Sequence, residues 1–334
     1  MRSAETLRPW GQLKWLWPKL PKLRWKFVGC VGTEDRTLSA WQFFTAHTGT
    51  VDGGFFRIED LPSRYSEKAK DITNNKVSDL LLIGKPADGI ENLELLCSTE
   101  DILGRLESII TKCDGNVILD ISCFPKRFFF PILRRLFHSD KIHNLLVCCG
   151  VPLAYGDDLS EDPTPWDALP TYGQLSYPDK VIETVFLGVG YLPLGFSEVF
   201  KTELKNLKVY PFLPVPPFSN RNWQFVNSIQ SDIGEGALEE PIRVDSRNVS
   251  EAFDYLVARS QNGASPSLVA PFGPKTLSLA MALFSLCSGA PAYYTQPKVY
   301  SPNYSSGVAL EDGAPSIWTY AIKINGQKVY RLPT

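Results

Sequence analysis

Three segments of this 334-residue chain recur, in the same order, roughly 150 residues further on. Phe27-Val-Gly-Cys-Val-Gly32 and the stretch to Phe44 correspond to Val185-Phe-Leu-Gly-Val-Gly190 and the stretch to Phe200. Val117-Ile-Leu-Asp-Ile-Ser-Cys-Phe-Pro-Lys126, leading into Phe128–Phe137, corresponds to Ser267-Leu-Val-Ala-Pro-Phe-Gly-Pro-Lys275, leading into Leu277–Leu286. Leu145-Leu-Val-Cys-Cys-Gly-Val-Pro152 with Tyr155 corresponds to Ala292-Tyr-Tyr-Thr-Gln-Pro297 with Tyr300. The offsets of 158, 149 and 145 residues shrink slowly, as loop-length changes between two copies of one unit would make them. A chain so arranged folds as two similar α/β units.

The local pattern in each half is strand, loop, helix. Val117–Ile121, Leu80–Ile83 and Leu145–Cys149 are continuous apolar runs of strand length, the mark of strands buried on both faces. Thr99–Thr111 repeats its apolar residues at helical spacing, with Ser98 or Thr99 as cap and Glu100 and Asp101 at the positive end. Ser250–Arg259 reads as a second helix capped by Ser250, and further helices begin near Ser39 and Ser197. Val181–Val189 opens the second unit after a Pro/Tyr/Asp-rich loop near 157–179, and the proline-rich stretch 209–223 is loop or extended structure. Thr319–Ile324, Asn325-Gly326 and Lys328–Leu332 read as a C-terminal hairpin. The expected architecture is two Rossmann-like units with mostly parallel sheets, related by internal duplication: an arm at 1–26, a first unit at 27–175 and a second at 176–334.

The formal net charge of −2 averages unlike parts. Residues 1–26 hold seven basic residues against Glu5 alone, with Trp10, Trp15, Trp17 and Trp25, four of the eight tryptophans. Lys14, Pro18, Lys19 and Pro21 interrupt any signal-peptide core there. Two readings stay open for the arm: it docks a partner, nucleic acid or membrane surface, or its tryptophans pack on the body of their own chain. The rest of the chain is acidic, net −8, so any anion site on it is local. Seven cysteines without a CxxC pair indicate neither a disulfide framework nor a zinc ribbon, and suit a reducing, cytoplasmic setting. Three histidines exclude an HExxH metal site, and no cofactor is indicated. The uncharged run between Lys275 and Lys298 is cut by Ser278, Ser285, Ser288, Gly289 and Pro291, so it reads as a buried helix followed by a strand at 292–295, not as a membrane span.

In open parallel sheets, ligands bind beyond the carboxyl ends of the strands, at helix N-termini. The first half offers Gly32, Thr33, Glu34 and Arg36 there, and Asp120, Ser122, Lys126 and Arg127 after another strand. The second half offers Gly188 and Gly190, then Gly273, Lys275 and Thr276. Lysine at a helix start is disfavoured by the helix dipole and becomes intelligible if an anion sits between it and the backbone N–H groups. No GxxxxGK[ST] loop is present, and Gly188, Gly190 and Gly195 miss the usual dinucleotide spacing. Gln296 and Tyr300, within a run that includes Tyr293 and Tyr304, place an amide and aromatics where a base can stack. Asp120 with Lys126, near Ser122 and Cys123, is the candidate catalytic group. Asp157, Asp158, Glu161 and Asp162 form an acidic loop that reads as solvated ahead of a magnesium site, and vicinal Cys148-Cys149 reads as core.

Ala270-Pro-Phe-Gly-Pro-Lys-Thr276, followed by Leu277–Leu286, resembles the Gly-Thr-Lys-type motif of CARF domains, the Rossmann-like sensors of CRISPR-linked and related antiviral systems. A tandem pair of such units resembles the SAVED arrangement of cyclic-oligonucleotide receptors. The likeness spans 27–334 as architecture and is carried by two short motifs, with Pro274 standing where threonine often precedes the lysine. It implies a cyclic or linear oligonucleotide second messenger bound at the junction of the units. Gly273, Lys275 and Thr276 would form one motif, and the Gly32–Arg36 and Gly188–Gly190 loops the other. A separate effector protein would supply the output. The alternatives are a nucleotide-processing hydrolase or ring nuclease using Asp120 and Lys126 or the Thr33–Arg36 loop, and a scaffold that docks through its N-terminal arm.

Overall fold

The computed structural model describes residues 7–48, 51–84, 86, 88–157, 159–173, 181–191, 207–215, 220–233 and 237–333. Arg2 and Glu5 of the arm, Asp158 of the acidic loop, the expected boundary at 175/176, Gly195, the helix begun near Ser197, and Pro216 and Pro217 lie outside the described residues. Along the chain run β1 (Trp10–Gln12), α1 (Leu13–Leu16), β2 (Trp25–Val31), α2 (Ser39–Thr48), β3 (Val51–Glu59), α3 (Ser66–Ile83), β4 (Ile90–Glu94), α4 (Thr99–Ile110), β5 (Asn116–Asp120), α5 (Lys126–His138) and β6 (Asn144–Gly150). Short strands β7 (Pro152–Tyr155), β8 (Ser160–Pro163) and β9 (Asp167–Ala168) follow. Next come β10 (Thr184–Gly188), β11 (Lys208–Val215), α6 (Asn220–Ile233), β12 (Ile242–Asp245), α7 (Val249–Arg259), β13 (Ser267–Pro271) and α8 (Lys275–Ser288). The chain closes with β14 (Tyr293–Tyr294), β15 (Pro297–Tyr300), β16 (Ser305–Val308), β17 (Leu310–Glu311), β18 (Ala314–Pro315), β19 (Ile317–Ile324) and β20 (Gln327–Lys328).

Two compact units result, but not at the expected boundary: Met1–Asp162 joins Lys298–Val329, and Pro163–Pro297 joins Tyr330–Thr334. The physical reason is β19. It pairs antiparallel with β6, Trp318 opposite Cys149, and so completes the sheet of the first unit. Of the two readings of the arm, packing on its own chain is the one that fits its described part: β1 pairs with β19, Trp10 stacks on Tyr320, and Trp17 meets Phe44 edge-on at 4.7 Å. It packs on its own unit.

The first sheet has the order β1-β19-β6-β5-β2-β3-β4, with β2 to β6 mutually parallel. The second has the order β12-β11-β10-β13, all parallel. Each unit thus places its first parallel strand centrally, the second and third to one side and the fourth to the other. The matched segments around Phe27 and Val185 become the two central strands, β2 and β10, and those around Val117 and Ser267 become the two fourth strands, β5 and β13. This equivalence is one of topology, an order common to doubly wound sheets; duplication itself stays an inference from the sequence matches.

Local chemistry accounts for most elements. β2 and β5 are buried along their whole length, as central parallel strands must be. Ser98 and Asp101 close a reciprocal capping box on α4. Asn248, not Ser250, caps α7 by accepting the Glu251 N–H at 3.0 Å. Leu80–Ile83 is the last turn of the 18-residue α3, not a strand. Thr73, Val77 and Leu80 recur at helical spacing, and Leu80 is buried in the cluster of Phe27, Trp41 and Phe55. The hairpin turn holds Asn325 and Gly326 at φ 49° and 79°, as a two-residue turn of this kind requires. α8 ends at Gly289, which adopts φ 78°. Among the described residues, no helix is long and apolar enough to cross a membrane.

Candidate functional site

In the first unit the expected ligand residues are occupied with one another. Arg36 is buried, its Nε and Nη2 on Glu34 Oε2 at 3.0 and 2.8 Å and its Nη1 on the Gly150 carbonyl at 2.8 Å. Burial opposes its charge, yet the Glu34 carboxylate keeps the guanidinium protonated well above the ordinary arginine range. Thr37 Oγ1 accepts from Gly32 N–H and donates to the Cys30 carbonyl, both at 2.9 Å, closing the turn beside half-buried Thr33. Asp120 Oδ1 accepts from the Ser122 N–H at 2.9 Å and from the Ser122 hydroxyl, whose oxygen accepts the Gly150 N–H at 2.7 Å. These groups tie the ends of β2, β5 and β6 together. Burial, with Glu34 near it, pushes the Cys123 thiol well up, and burial with Asp120 near it does the same for Cys148, so neither sulfur is a ready nucleophile. Lys126 is buried in the first turn of α5, and Arg127 Nη2 donates to the Cys97 carbonyl at 2.9 Å.

The same edge is strapped by residues 298–309. The Tyr300 N–H donates to Asp60 Oδ2 at 2.9 Å beyond β3, the Ser305 hydroxyl donates to Glu34, and the Gly307 N–H donates to Asp35 Oδ2 at 2.7 Å beyond β2. The Ala309 N–H donates to the Val151 carbonyl at 2.9 Å beyond β6. Burial raises the Asp60 carboxyl to about 6, although the Tyr300 N–H pulls it down. Asp35 moves the other way, lowered chiefly by the Gly307 N–H. In the acidic loop, Glu161 pairs with Arg64 and Asp162 with Lys298. Among the described residues no cluster of three or more metal-ligating side chains exists.

The second unit brings its two motifs together at the switch point between β10 and β13. A Cβ on Gly190 would lie 2.3 Å from the Phe272 carbonyl oxygen, so only glycine allows these strand ends to meet. Gly273 has the Val189 carbonyl 3.1 Å from its own missing Cβ. α8 starts at Lys275 behind its N-cap residue Pro274, whose side chain makes no capping hydrogen bond. Lys275 and Thr276 are half-buried in that first turn. Beyond the neighbouring strand, α6 contributes Asn222, whose Nδ2 donates to the Gly190 carbonyl at 3.0 Å, and Arg221, whose guanidinium lies 5.9 Å from the Tyr191 ring centre. Cationic side chains thus stand on both α6 and α8 around one glycine-lined strand end, where the positive ends of helices favour an anion.

The loops of Gly188, Gly190 and Gly273 therefore meet at one strand end, with Lys275 and Thr276 in the helical turn that follows. Gln296 belongs to the same unit, but its Nε2 donates to the Pro297 carbonyl at 2.8 Å and its N–H to Thr164 Oγ1 at 3.0 Å, a structural duty. Tyr300 belongs to the first unit, on the strap. Arg221 and Asn222 carry one visible signal in the sequence, Asn220 opening a helix after a proline-rich stretch.

No family model matches this chain, and no curated protein matches it. Among solved structures, a universal stress protein from Archaeoglobus fulgidus DSM 4304 aligns over 81% of this chain and 96% of that one, at 7% identity and a TM-score of 0.25. A likeness of that size carries no argument, and the fold rests on the strand pairing described above.

Proposed function

We propose that the second unit binds a nucleotide-type ligand through its phosphates, as a second-messenger sensor or regulatory subunit, in the antiviral setting that the CARF and SAVED resemblance implies, with a separate effector as partner. The observation that carries this reading is the meeting of the Gly190 and Gly273 loops under the start of α8, flanked by Lys275 and Arg221. Backbone N–H groups, a helix N-terminus and two cations make up the usual chemistry of a phosphate cradle.

Among the described residues of the first unit, Arg36 pairs with Glu34, Asp120 with Ser122, and residues 298–309 cross the same edge, which favours the second unit as the ligand site. The hydrolase alternative loses its footing for the same reason: the Asp120 carboxylate serves its own turn. Calorimetry with mono-, di- and cyclic oligonucleotides tests the proposal. Binding with one ligand per chain is expected, lost in Lys275→Ala and retained in Lys126→Ala. No binding by any of these ligands, or loss with Lys126→Ala alone, would sink it.

A further inference from the structure

We propose that Trp166 and Tyr293 form a stacking platform for a nucleobase beside the Gly273 loop, so that this unit distinguishes nucleotides from base-free phosphates. The inference rests on the phosphate site proposed above and adds the group that the ligand must carry.

Phe272, the residue before Gly273, is buried against Phe225 and Tyr294, with ring centres 5.9 and 5.0 Å away. Trp166 lies parallel to it, 5° between planes and 6.3 Å between centres, and Tyr293 packs 5.5 Å from Trp166. Phe272 and Tyr294 are closed off, whereas Trp166 and Tyr293 stay half-exposed. The aromatic cluster therefore has a covered layer and an accessible one, and the covered layer adjoins the phosphate loop directly.

The accessible layer is held rigidly. On one side of Trp166 the Thr164 N–H donates to the Gln296 carbonyl at 2.8 Å; on the other, Ala168 pairs with Tyr293 and the Leu169 N–H donates to the Ala292 carbonyl at 2.8 Å. Pro163 and Pro165 stiffen the same segment. An aromatic face held in place before the ligand arrives loses little entropy on binding. Base–aromatic stacking tolerates every base, since each presents a π-face. The platform thus selects for a base without choosing which one.

The test is titration calorimetry on the full chain with ADP, CDP, adenosine, ribose 5-phosphate and pyrophosphate. ADP and CDP are expected to bind with similar affinity, and ribose 5-phosphate more weakly. Trp166→Ala should weaken ADP roughly five- to 150-fold while leaving pyrophosphate unchanged. Trp166→Phe, which keeps an aromatic face, and Tyr293→Leu, which keeps apolar volume without one, separate stacking from damage to the fold: the first should retain most of the affinity and the second lose it. Equal affinity for ADP and ribose 5-phosphate, with Trp166→Phe and Tyr293→Leu both silent, overturns the platform and leaves the phosphate site standing. Adenosine binding that depends on Trp166, without any binding of pyrophosphate, upholds the platform and overturns the phosphate site.

Discussion

Asp60 and Asp35 show how two residues of one type are set in opposite directions by their surroundings. Both accept a backbone N–H from the strap at 298–309. Burial dominates at Asp60 and raises its carboxyl to about 6 from the ordinary 3.8; at Asp35 the hydrogen bond dominates and lowers it. A carboxyl raised in the folded state binds its proton more tightly there than in the unfolded chain, so its ionisation costs stability as pH rises from about 4 to 6. Two pKa units correspond to about 3 kcal/mol at most, and partial exposure reduces that to about 1–3 kcal/mol. Asp60→Asn keeps an acceptor for Tyr300 and removes the charge. It should therefore raise the melting temperature at pH 7.5 and leave it unchanged at pH 4; an equal shift at both pH values would show that the charge is not the cause. Asp35 acts oppositely, adding stability above its ordinary range that is lost in acid.

Among the elements, the described part of the N-terminal segment is packed on its own unit. Leu13 is 1% exposed, in the cluster that holds Trp25 and Phe44. Leu13→Ala should cost about 2–5 kcal/mol in denaturant unfolding, as core truncations do. A segment held away from the body would lose nothing by the same change. Composition could not decide this, because tryptophan beside lysine serves a packed arm and an interfacial one equally. Elements whose signal is local were legible: the capping box of α4, the all-apolar β5, the Asn325-Gly326 turn. Leu80–Ile83 was not, since four apolar residues fit a strand or a helix end, and only the spacing back to Thr73 and Val77 separates the two. The placement of Gly190 and Gly273 at a close backbone approach and of Lys275 at a helix start was legible because both leave a trace in sequence. The burial of Arg36 was not, because the Gly150 carbonyl that its Nη1 meets lies 114 positions away along the chain.

For the whole molecule, the governing fact is that the second unit is inserted within the first. β19 closes the first sheet only after the chain has passed through 163–297, and the Tyr330 ring then packs on Phe253 of the second unit at 5.1 Å. A chain stopped at residue 175 lacks β19, leaves β6 as a bare edge and buries its apolar face incompletely, so it should aggregate. Joining Asp162 to Lys298, whose side chains pair at 3.1 Å, through a short Gly/Ser linker should instead give a folded first unit. Size-exclusion chromatography with circular dichroism distinguishes the two outcomes; a monomeric, folded product from residues 1–175 would contradict the assignment of β19. The same connectivity sets an order of events during synthesis. All four parallel strands of the second unit leave the ribosome before β19 does, so the later unit in the chain is the first to have its sheet complete. The earlier one waits about 170 residues between β6 and β19, roughly 10–35 s of translation, with its central sheet open along one edge. That interval is when the nascent chain most needs a chaperone.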